Sequence, residues 1–125
     1  MAHDALNWFE IPVTDIARAQ HFYETLLGKS MRREQMGPQT LAVFPYDDGR
    51  VGGALLQSAT APAPTTDGNI IYLAAGPSLD VVLARASELG AKVLLPKLEL
   101  PRNLGVIAHV RDSEGNRVGL HSPAA

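Results

Sequence analysis

Hydrophobic and polar positions along the first half of the chain predict a strand, a helix and three further strands. Residues 6–13 alternate imperfectly between apolar and polar side chains, which is typical of a strand with two differently used faces. Apolar residues then recur at helical spacing over 16–27, with Thr14 or Asp15 as the expected N-cap and Gly28 as the expected stop. The three strands that follow are predicted near 30–35, 41–46 and 51–57, the last two joined by the turn at 47–50.

The second half of the chain repeats this order. The phrase Leu27-Gly28 recurs as Leu89-Gly90, 62 residues later, and the segment 58–68 between the copies has no periodic apolar pattern. We therefore predict an α+β fold built from two βαβββ modules in one domain, residues 1–125. Module one covers about 5–58, the linker about 59–68 and module two about 69–122. In module two the strands are predicted at 69–75, 92–96, 106–111 and 117–121, and the helix around 79–89.

Composition excludes several classes of function. The net charge is −2, with acids and bases interspersed, so no basic surface for nucleic acid is expected. The chain has no cysteine, which excludes disulfides, thiolate metal sites and a cysteine nucleophile. Neither a secretory signal nor an apolar segment long enough for a membrane is visible, so the sequence predicts a cytoplasmic protein.

Three short motifs resemble those of a known family. The first is Val13-Thr14-Asp15 followed by Phe22-Tyr23-Glu24, the second is Leu26-Leu27-Gly28, and the third is Asp112-Ser113-Glu114-Gly115-Asn116-Arg117 near the end. With the duplicated organisation, they make the chain similar to the vicinal oxygen chelate superfamily. That superfamily includes glyoxalase I, extradiol dioxygenases, fosfomycin resistance enzymes and bleomycin-binding proteins. The resemblance implies eight strands that curve around a central cavity, and a homodimer.

The resemblance also implies where a metal would be held. Metal-dependent members carry His or Glu ligands on inward-facing strand positions, and these map to Trp8, Ile70 and Gly119 here. The turns that begin at Asp47 and Ser113 are 66 residues apart, and the same offset from Gly119 gives Gly53 as the fourth position. None of these side chains offers an imidazole, carboxylate or thiolate. We therefore predict no metal at the family position and no cofactor.

Two titratable residues are the candidate catalytic groups. Glu10 shares the inward face of its strand with Trp8, where it would act as a general base or as a hydrogen-bond acceptor for a ligand. The alternative is a structural ion pair with an arginine such as Arg117. His121 shares a face with Gly119 and could act as an acid or base, or it could be a terminal histidine bonded to backbone.

The predicted ligand is a small organic molecule in a cavity between the modules. Ligand-binding positions are predicted at Trp8, Gly53, Leu55, Tyr72, Arg117 and Gly119. The leading function is binding of that molecule without a family-type metal. The alternatives are a metal-independent lyase or isomerase using Glu10 and His121, a glyoxalase- or dioxygenase-like enzyme with a shifted metal site, and a subunit-interaction protein.

Overall fold

Two mixed four-stranded sheets and two helices make up the fold. The structure, a computed structural model, describes residues 4–123. Module one contains β1 (Trp8–Pro12), α1 (Ile16–Leu27), β2 (Arg32–Met36), β3 (Gln39–Val43) and β4 (Gly52–Gln57). Module two contains β5 (Tyr72–Ala74), α2 (Leu79–Glu88), β6 (Val93–Glu99), β7 (Val106–Arg111) and β8 (Arg117–Ser122).

The two sheets have the same topology. The strand orders are β1-β4-β3-β2 and β5-β8-β7-β6, and in each sheet the first strand runs parallel to its neighbour while the other pairs are antiparallel. The predicted α+β class and the paired βαβββ modules are confirmed. Because β1 and β5 each have only one partner, both are edge strands, and they lie where the modules meet.

One face of each sheet packs against a helix and forms the core. Helix α1 begins after Asp15, whose carboxylate accepts a hydrogen bond from Arg18 N, and ends at Gly28 with a left-handed backbone (φ 66°). Its apolar stripe includes Phe22, Tyr23 and Leu26, all buried. Strand residues that point to the same side, such as Leu55, complete this core. The opposite face of each sheet, its free face, is not covered by a helix.

The last hairpin joins the modules through buried polar contacts. The side chain of Glu114 has no exposed surface and accepts hydrogen bonds from Thr14 N and Asp15 N, both at 2.9 Å, and from Arg18 Nε at 2.7 Å. Nearby, the buried Tyr23 hydroxyl donates to Asp112 at 2.6 Å. The motifs at 13–15 and 112–117 therefore contact each other and connect the two modules.

The strand boundaries of module two differ most from the predicted ones. Strand β5 covers only Tyr72–Ala74, because residues 69–71 continue the irregular linker. Strand β6 extends to Glu99 instead of ending at Pro96, with two irregularities in its pairing to β7. Within residues 4–123, neither helix is long and apolar enough to cross a membrane.

Candidate functional site

Two cavities of similar size lie along the seam between the modules. The first has a volume of about 340 Å³ and the second about 320 Å³. Strand β1 contributes residues to both, and Ile71, just before β5, lines both. Both volumes lie within the range usual for small-molecule pockets. The duplicated fold therefore forms clefts at the junction of its two copies.

The first cavity is apolar apart from two side chains. Lys29 and Tyr72 are the polar residues of its lining; Lys29 is exposed, and the Tyr72 hydroxyl is directed to His109, which does not line the cavity. Aromatic rings of Phe9 and Phe44 form part of the wall, with centroids 5.6 Å apart. The other lining residues are small or aliphatic: Leu6, Leu27, Pro45, Val51, Gly52, Gly53, Ile71, Leu73 and Ala74. This is the composition of a site for an apolar molecule.

The second cavity is bounded by the linker and is more mixed in charge. Glu10 and Arg117 line it together, with Asn69 and Asn116 as further polar side chains. No ion pair joins Glu10 to Arg117 among the described residues. Arg117 instead donates from Nε to the carbonyl of Thr66 at 3.2 Å. The structural ion pair between Glu10 and Arg117 that the sequence offered as an alternative is therefore not formed.

A chain of hydrogen bonds connects Tyr72 to Arg117 through His109. The Tyr72 hydroxyl lies 2.7 Å from His109 Nε2, and Arg117 Nη1 lies 3.1 Å from His109 Nδ1. The Tyr72 side chain is 44% exposed, whereas His109 is 6% exposed. The Tyr72 hydroxyl is thus hydrogen-bonded to the buried imidazole of His109, and the other ring nitrogen of His109 is hydrogen-bonded to the guanidinium of Arg117.

The chemistry of the guanidinium fixes the direction of these hydrogen bonds. Arginine can only donate, so Nδ1 of His109 must accept and the imidazole proton resides on Nε2. His109 Nε2–H therefore donates to the Tyr72 oxygen. Burial, together with the charge of Arg117, lowers the pKa of His109 and favours this neutral form. The Tyr72 proton is consequently left to donate elsewhere.

Aromatic rings cover glycines on the free face of both sheets. A β-carbon at Gly119 would lie 2.5 Å from the Tyr72 ring, and one at Gly52 would lie 2.7 Å from the Tyr46 ring. The Tyr46 ring in turn meets Trp8 edge-on, with centroids 6.2 Å apart. Gly119 and Gly52 are therefore required for the close approach of an aromatic ring to the strand backbone.

Glu10 and His121, the predicted catalytic pair, do not line a common cavity. Glu10 lines the second cavity and accepts a long contact of 3.4 Å from Trp8 Nε1. His121 lines neither cavity, and its Nε2–H donates to the carbonyl of Leu104 at 2.7 Å. His121 therefore matches the alternative in which a terminal histidine is hydrogen-bonded to the backbone. This geometry gives no support to an acid–base pair of these two residues.

The predicted ligand-binding residues are divided among different environments. Gly53 and Tyr72 line the first cavity, and Arg117 lines the second. Trp8 and Gly119 lie on the free faces of their sheets, outside both cavities. Leu55 requires a correction: it is completely buried in the core against α1, because it shares a face with Ile11 and Ala42. A ligand in either cavity cannot reach it.

The offset that placed Gly53 opposite Gly119 is wrong by one residue. Val13 N donates to Leu56 O, and its counterpart Ala75 N donates to His121 O, so the offset between β4 and β8 is 65. The counterpart of Gly119 is therefore Ala54. A shift of one residue moves a side chain to the other face of a strand. Gly53 accordingly points to the helix side, where a β-carbon would meet the Phe9 ring at 2.3 Å.

The residues at the family's metal positions do not fit a divalent ion. With the corrected register these positions are Trp8, Ala54, Ile70 and Gly119, and none of the four has an oxygen, imidazole nitrogen or sulfur ligand in its side chain. Across the part of the chain that the structure describes, no three His, Asp or Glu side chains converge on one point.

Sequence reasoning predicted neither the contact of His109 with Tyr72 nor the position of Lys29 beside the first cavity. The signal for His109 was present in the hairpin at 112–116: pairing Arg111 with Arg117 places His109 opposite Gly119. That register puts His109 on the same face as Tyr72, which pairs with Gly119 from the other side. Lys29 follows the helix stop at Gly28, and nothing in its neighbourhood indicates a cavity.

Comparisons with known proteins agree with this architecture. Residues 6–40 match the family model described as bleomycin resistance protein-like N-terminal. A search of curated protein sequences finds no match. Among solved structures, a glyoxylase/bleomycin resistance protein/dioxygenase domain from Frankia sp. EAN1pec is similar, with a TM-score of 0.72 and 20% identity. The alignment covers 97% of this chain and 98% of that one.

Two further structures show the same likeness over nearly the whole chain. TnmS3, an antibiotic binding protein from Streptomyces sp. CB03234, is 22% identical with a TM-score of 0.66, and 98% of each chain is covered. The fosfomycin resistance protein FosX from Listeria monocytogenes is 13% identical with a TM-score of 0.65, over 99% of this chain and 95% of that one. The chain therefore has the fold of the vicinal oxygen chelate superfamily, and the resemblance found in the sequence is confirmed.

Proposed function

We propose that this chain is a binding protein for a small organic molecule with an apolar, planar part, and that the molecule occupies the first cavity. The observation that carries the proposal is the wall of that cavity, which is formed mainly by aromatic and aliphatic side chains. Binding proceeds without a metal at the family position, because Trp8, Ala54, Ile70 and Gly119 supply no ligand.

Two further observations support binding rather than turnover. Catalysis by proton transfer requires an acid or base within hydrogen-bond reach of the ligand. The lining of the first cavity contains no carboxylate and no histidine; its titratable residues are Lys29 and Tyr72, and the Tyr72 hydroxyl is hydrogen-bonded to His109. Among proteins with the same fold, TnmS3 is an antibiotic binding protein and the family model matched by residues 6–40 is named for bleomycin resistance. We propose that this chain likewise binds and retains an aromatic compound.

The first experiment titrates the protein with N-phenyl-1-naphthylamine, an uncharged planar dye, and then with bleomycin as a competitor. We expect saturable binding with one dye per chain. Bleomycin should displace the dye if it shares the cavity.

A matched pair of variants identifies the cavity that is used. Ala74 lines the first cavity and Ala63 the second, and both are exposed. Ala74→Trp should abolish dye binding by filling the first cavity, whereas Ala63→Trp should leave it unchanged, with equal thermal midpoints for both. Absence of saturable binding to the wild-type protein, or retention of binding by Ala74→Trp, would contradict the proposal.

A further inference from the structure

We infer that Arg117 and His109 form a pH-sensitive switch on the linker: while His109 is neutral, Arg117 holds the linker at Thr66, and protonation of His109 releases the linker. The linker, residues 59–68, forms part of the wall of the second cavity. The switch therefore controls how firmly that wall is held, and it does not depend on a ligand in the first cavity.

Three hydrogen bonds tie the middle of the linker to the start of β8. Thr65 N–H donates to Asn116 Oδ1 at 3.2 Å. Arg117 donates twice, from its backbone N–H to the carbonyl of Thr65 and from Nε to the carbonyl of Thr66, both at 3.2 Å. No residue from 59 to 68 is buried, so apolar packing contributes little to holding the segment. The bond from the guanidinium is the charge-assisted one of the three, and such bonds are the stronger kind.

The same guanidinium bridges the linker and strand β7. Its Nε–H binds Thr66, and its Nη1–H donates to Nδ1 of His109 at 3.1 Å. His109 is 6% exposed, and its Nε2–H donates to the Tyr72 hydroxyl at 2.7 Å. The imidazole is therefore fixed in place. Arg117 is held between the imidazole and the linker as long as Nδ1 of His109 carries no proton.

Protonation of His109 turns this contact from attraction into repulsion. A protonated imidazole has N–H donors at both nitrogens and a positive charge, so Nδ1 no longer accepts from Arg117. The bond from Nε2–H to Tyr72 needs no change and is retained. Arg117 is more exposed than the buried His109, so the guanidinium is the group that moves into solvent and loses its bond to Thr66.

Arg117 is the charged group that faces His109 from the surrounding elements. Strand β5 presents the Tyr72 hydroxyl, and β6 places the apolar Leu95 opposite His109. His121, the nearby titratable residue of β8, is bonded to a backbone carbonyl. The three ion pairs found within residues 4–123 involve neither His109 nor Arg117. No such pair therefore stabilises a proton on the imidazole.

The pKa of His109 gives the direction of the switch. Burial, followed by the charge of Arg117, lowers this pKa below the ordinary value of 6.5. The unfolded chain therefore takes up the proton first, so the stabilisation by the neutral contact is complete above 6.5 and is lost as pH falls through the lowered pKa. Glu114 stays ionised in this range because its pKa is about 2.

NMR of the wild-type protein from about pH 7.5 to about pH 4.5 tests the switch, with imidazole nitrogen shifts reporting protonation of His109 and amide hydrogen exchange reporting the linker. As His109 takes up its proton, we expect the protection of Thr65 N–H and Arg117 N–H to fall by about 10-fold, because a hydrogen bond from a charged group is lost. Val13 N–H, which binds the carbonyl of Leu56 away from the linker, should keep its protection.

Substitutions separate His109 from other sources of pH dependence. His109→Asn keeps an acceptor near the position of Nδ1 and cannot be protonated, so it should make the linker protection independent of pH. His121→Asn is the matched control and should retain the wild-type response, since His121 binds the carbonyl of Leu104. Arg117→Leu should lower the protection of Thr65 N–H already at about pH 7.5.

A linker whose protection stays constant in the wild-type protein while His109 titrates would overturn the inference. An imidazole that remains neutral down to about pH 4.5, or a pH response of the linker that survives His109→Asn, would overturn it as well. The wild-type comparison does not depend on the variants, because both signals come from the same sample.

Discussion

Glu114 shows how one buried carboxylate can connect two modules. Its side chain is inaccessible and accepts hydrogen bonds from module one through Thr14, Asp15 and Arg18, at distances of 2.7–3.0 Å. Burial on its own would raise the pKa of Glu114. The hydrogen bonds from Arg18, from Asp15 N and from the hydroxyls of Ser113 and Thr14 outweigh it and lower the pKa to about 2.

This pKa predicts acid sensitivity with a definite sign. The ordinary pKa of a glutamate is 4.5, so the unfolded chain takes up the proton before the folded one does. The stabilisation by ionised Glu114 is complete above that value and is lost as pH falls towards 2. Urea unfolding of wild type at about pH 7 and about pH 3 should therefore show a loss of stability that Glu114→Gln does not share in full.

At neutral pH, Glu114→Gln should itself lower the free energy of unfolding by about 1–3 kcal/mol, because the charge-assisted bonds of Arg18 and the two backbone N–H groups are weakened. Glu34→Gln is the control, as the Glu34–Arg32 pair is exposed on both sides and such pairs contribute little. An equal effect of the two substitutions would argue against Glu114 as the joining residue.

At the scale of elements, the two helices begin with caps of different quality. The Asp15 carboxylate accepts from Arg18 N at 3.1 Å, and its own N–H binds Glu114. Ser78 caps α2 through a longer contact of 3.4 Å to Val81 N. We expect Asp15→Ala to lower the free energy of unfolding by about 1 kcal/mol and Ser78→Ala by less. Equal losses in chemical denaturation would contradict this ranking.

Much of each element could be predicted from the sequence, because periodicity reports which face of an element is buried. Helix α1 begins and ends as the pattern indicates, with Asp15 as the cap and Gly28 as the stop. The sequence could not decide which strand residue of one module corresponds to which in the other. Two adjacent glycines at 52 and 53 leave the face of β4 undefined, so Gly53 was assigned to the wrong face.

The candidate site was less predictable for a related reason. His109 and Arg117 are eight residues apart, and their contact depends on the hairpin register together with the position of Tyr72 on a different strand. Leu55 was assigned to the cavity although its position on β4 faces α1. Residue type alone indicates neither a hydrogen-bond chain nor the side of a sheet on which a cavity opens.

At the scale of the whole molecule, the helices use one face of each sheet and leave the other free. Large apolar side chains on or beside these free faces remain exposed, including Trp8 at 40%, Tyr46 at 49% and Tyr72 at 44%. The outer edge strands are protected against pairing: β2 carries Arg32, Arg33 and Glu34, and β6 is interrupted by irregular pairing. The free faces, rather than the outer edges, are therefore the surfaces that a second copy can cover.

We propose on this basis that the chain forms a homodimer through the free faces of its sheets, as a two-fold contact of one surface with itself. Tyr46→Glu places a charge within that surface and should convert the dimer to a monomer, because a buried unpaired carboxylate costs several kcal/mol. Val81→Glu is the control, since Val81 is equally exposed, at 49%, but lies on the outside of α2. Light scattering at micromolar protein should give the dimer mass for wild type and Val81→Glu, and the monomer mass for Tyr46→Glu. A monomer mass for the wild-type protein would contradict the dimer itself, and a dimer that tolerates Tyr46→Glu would move the contact away from the free faces.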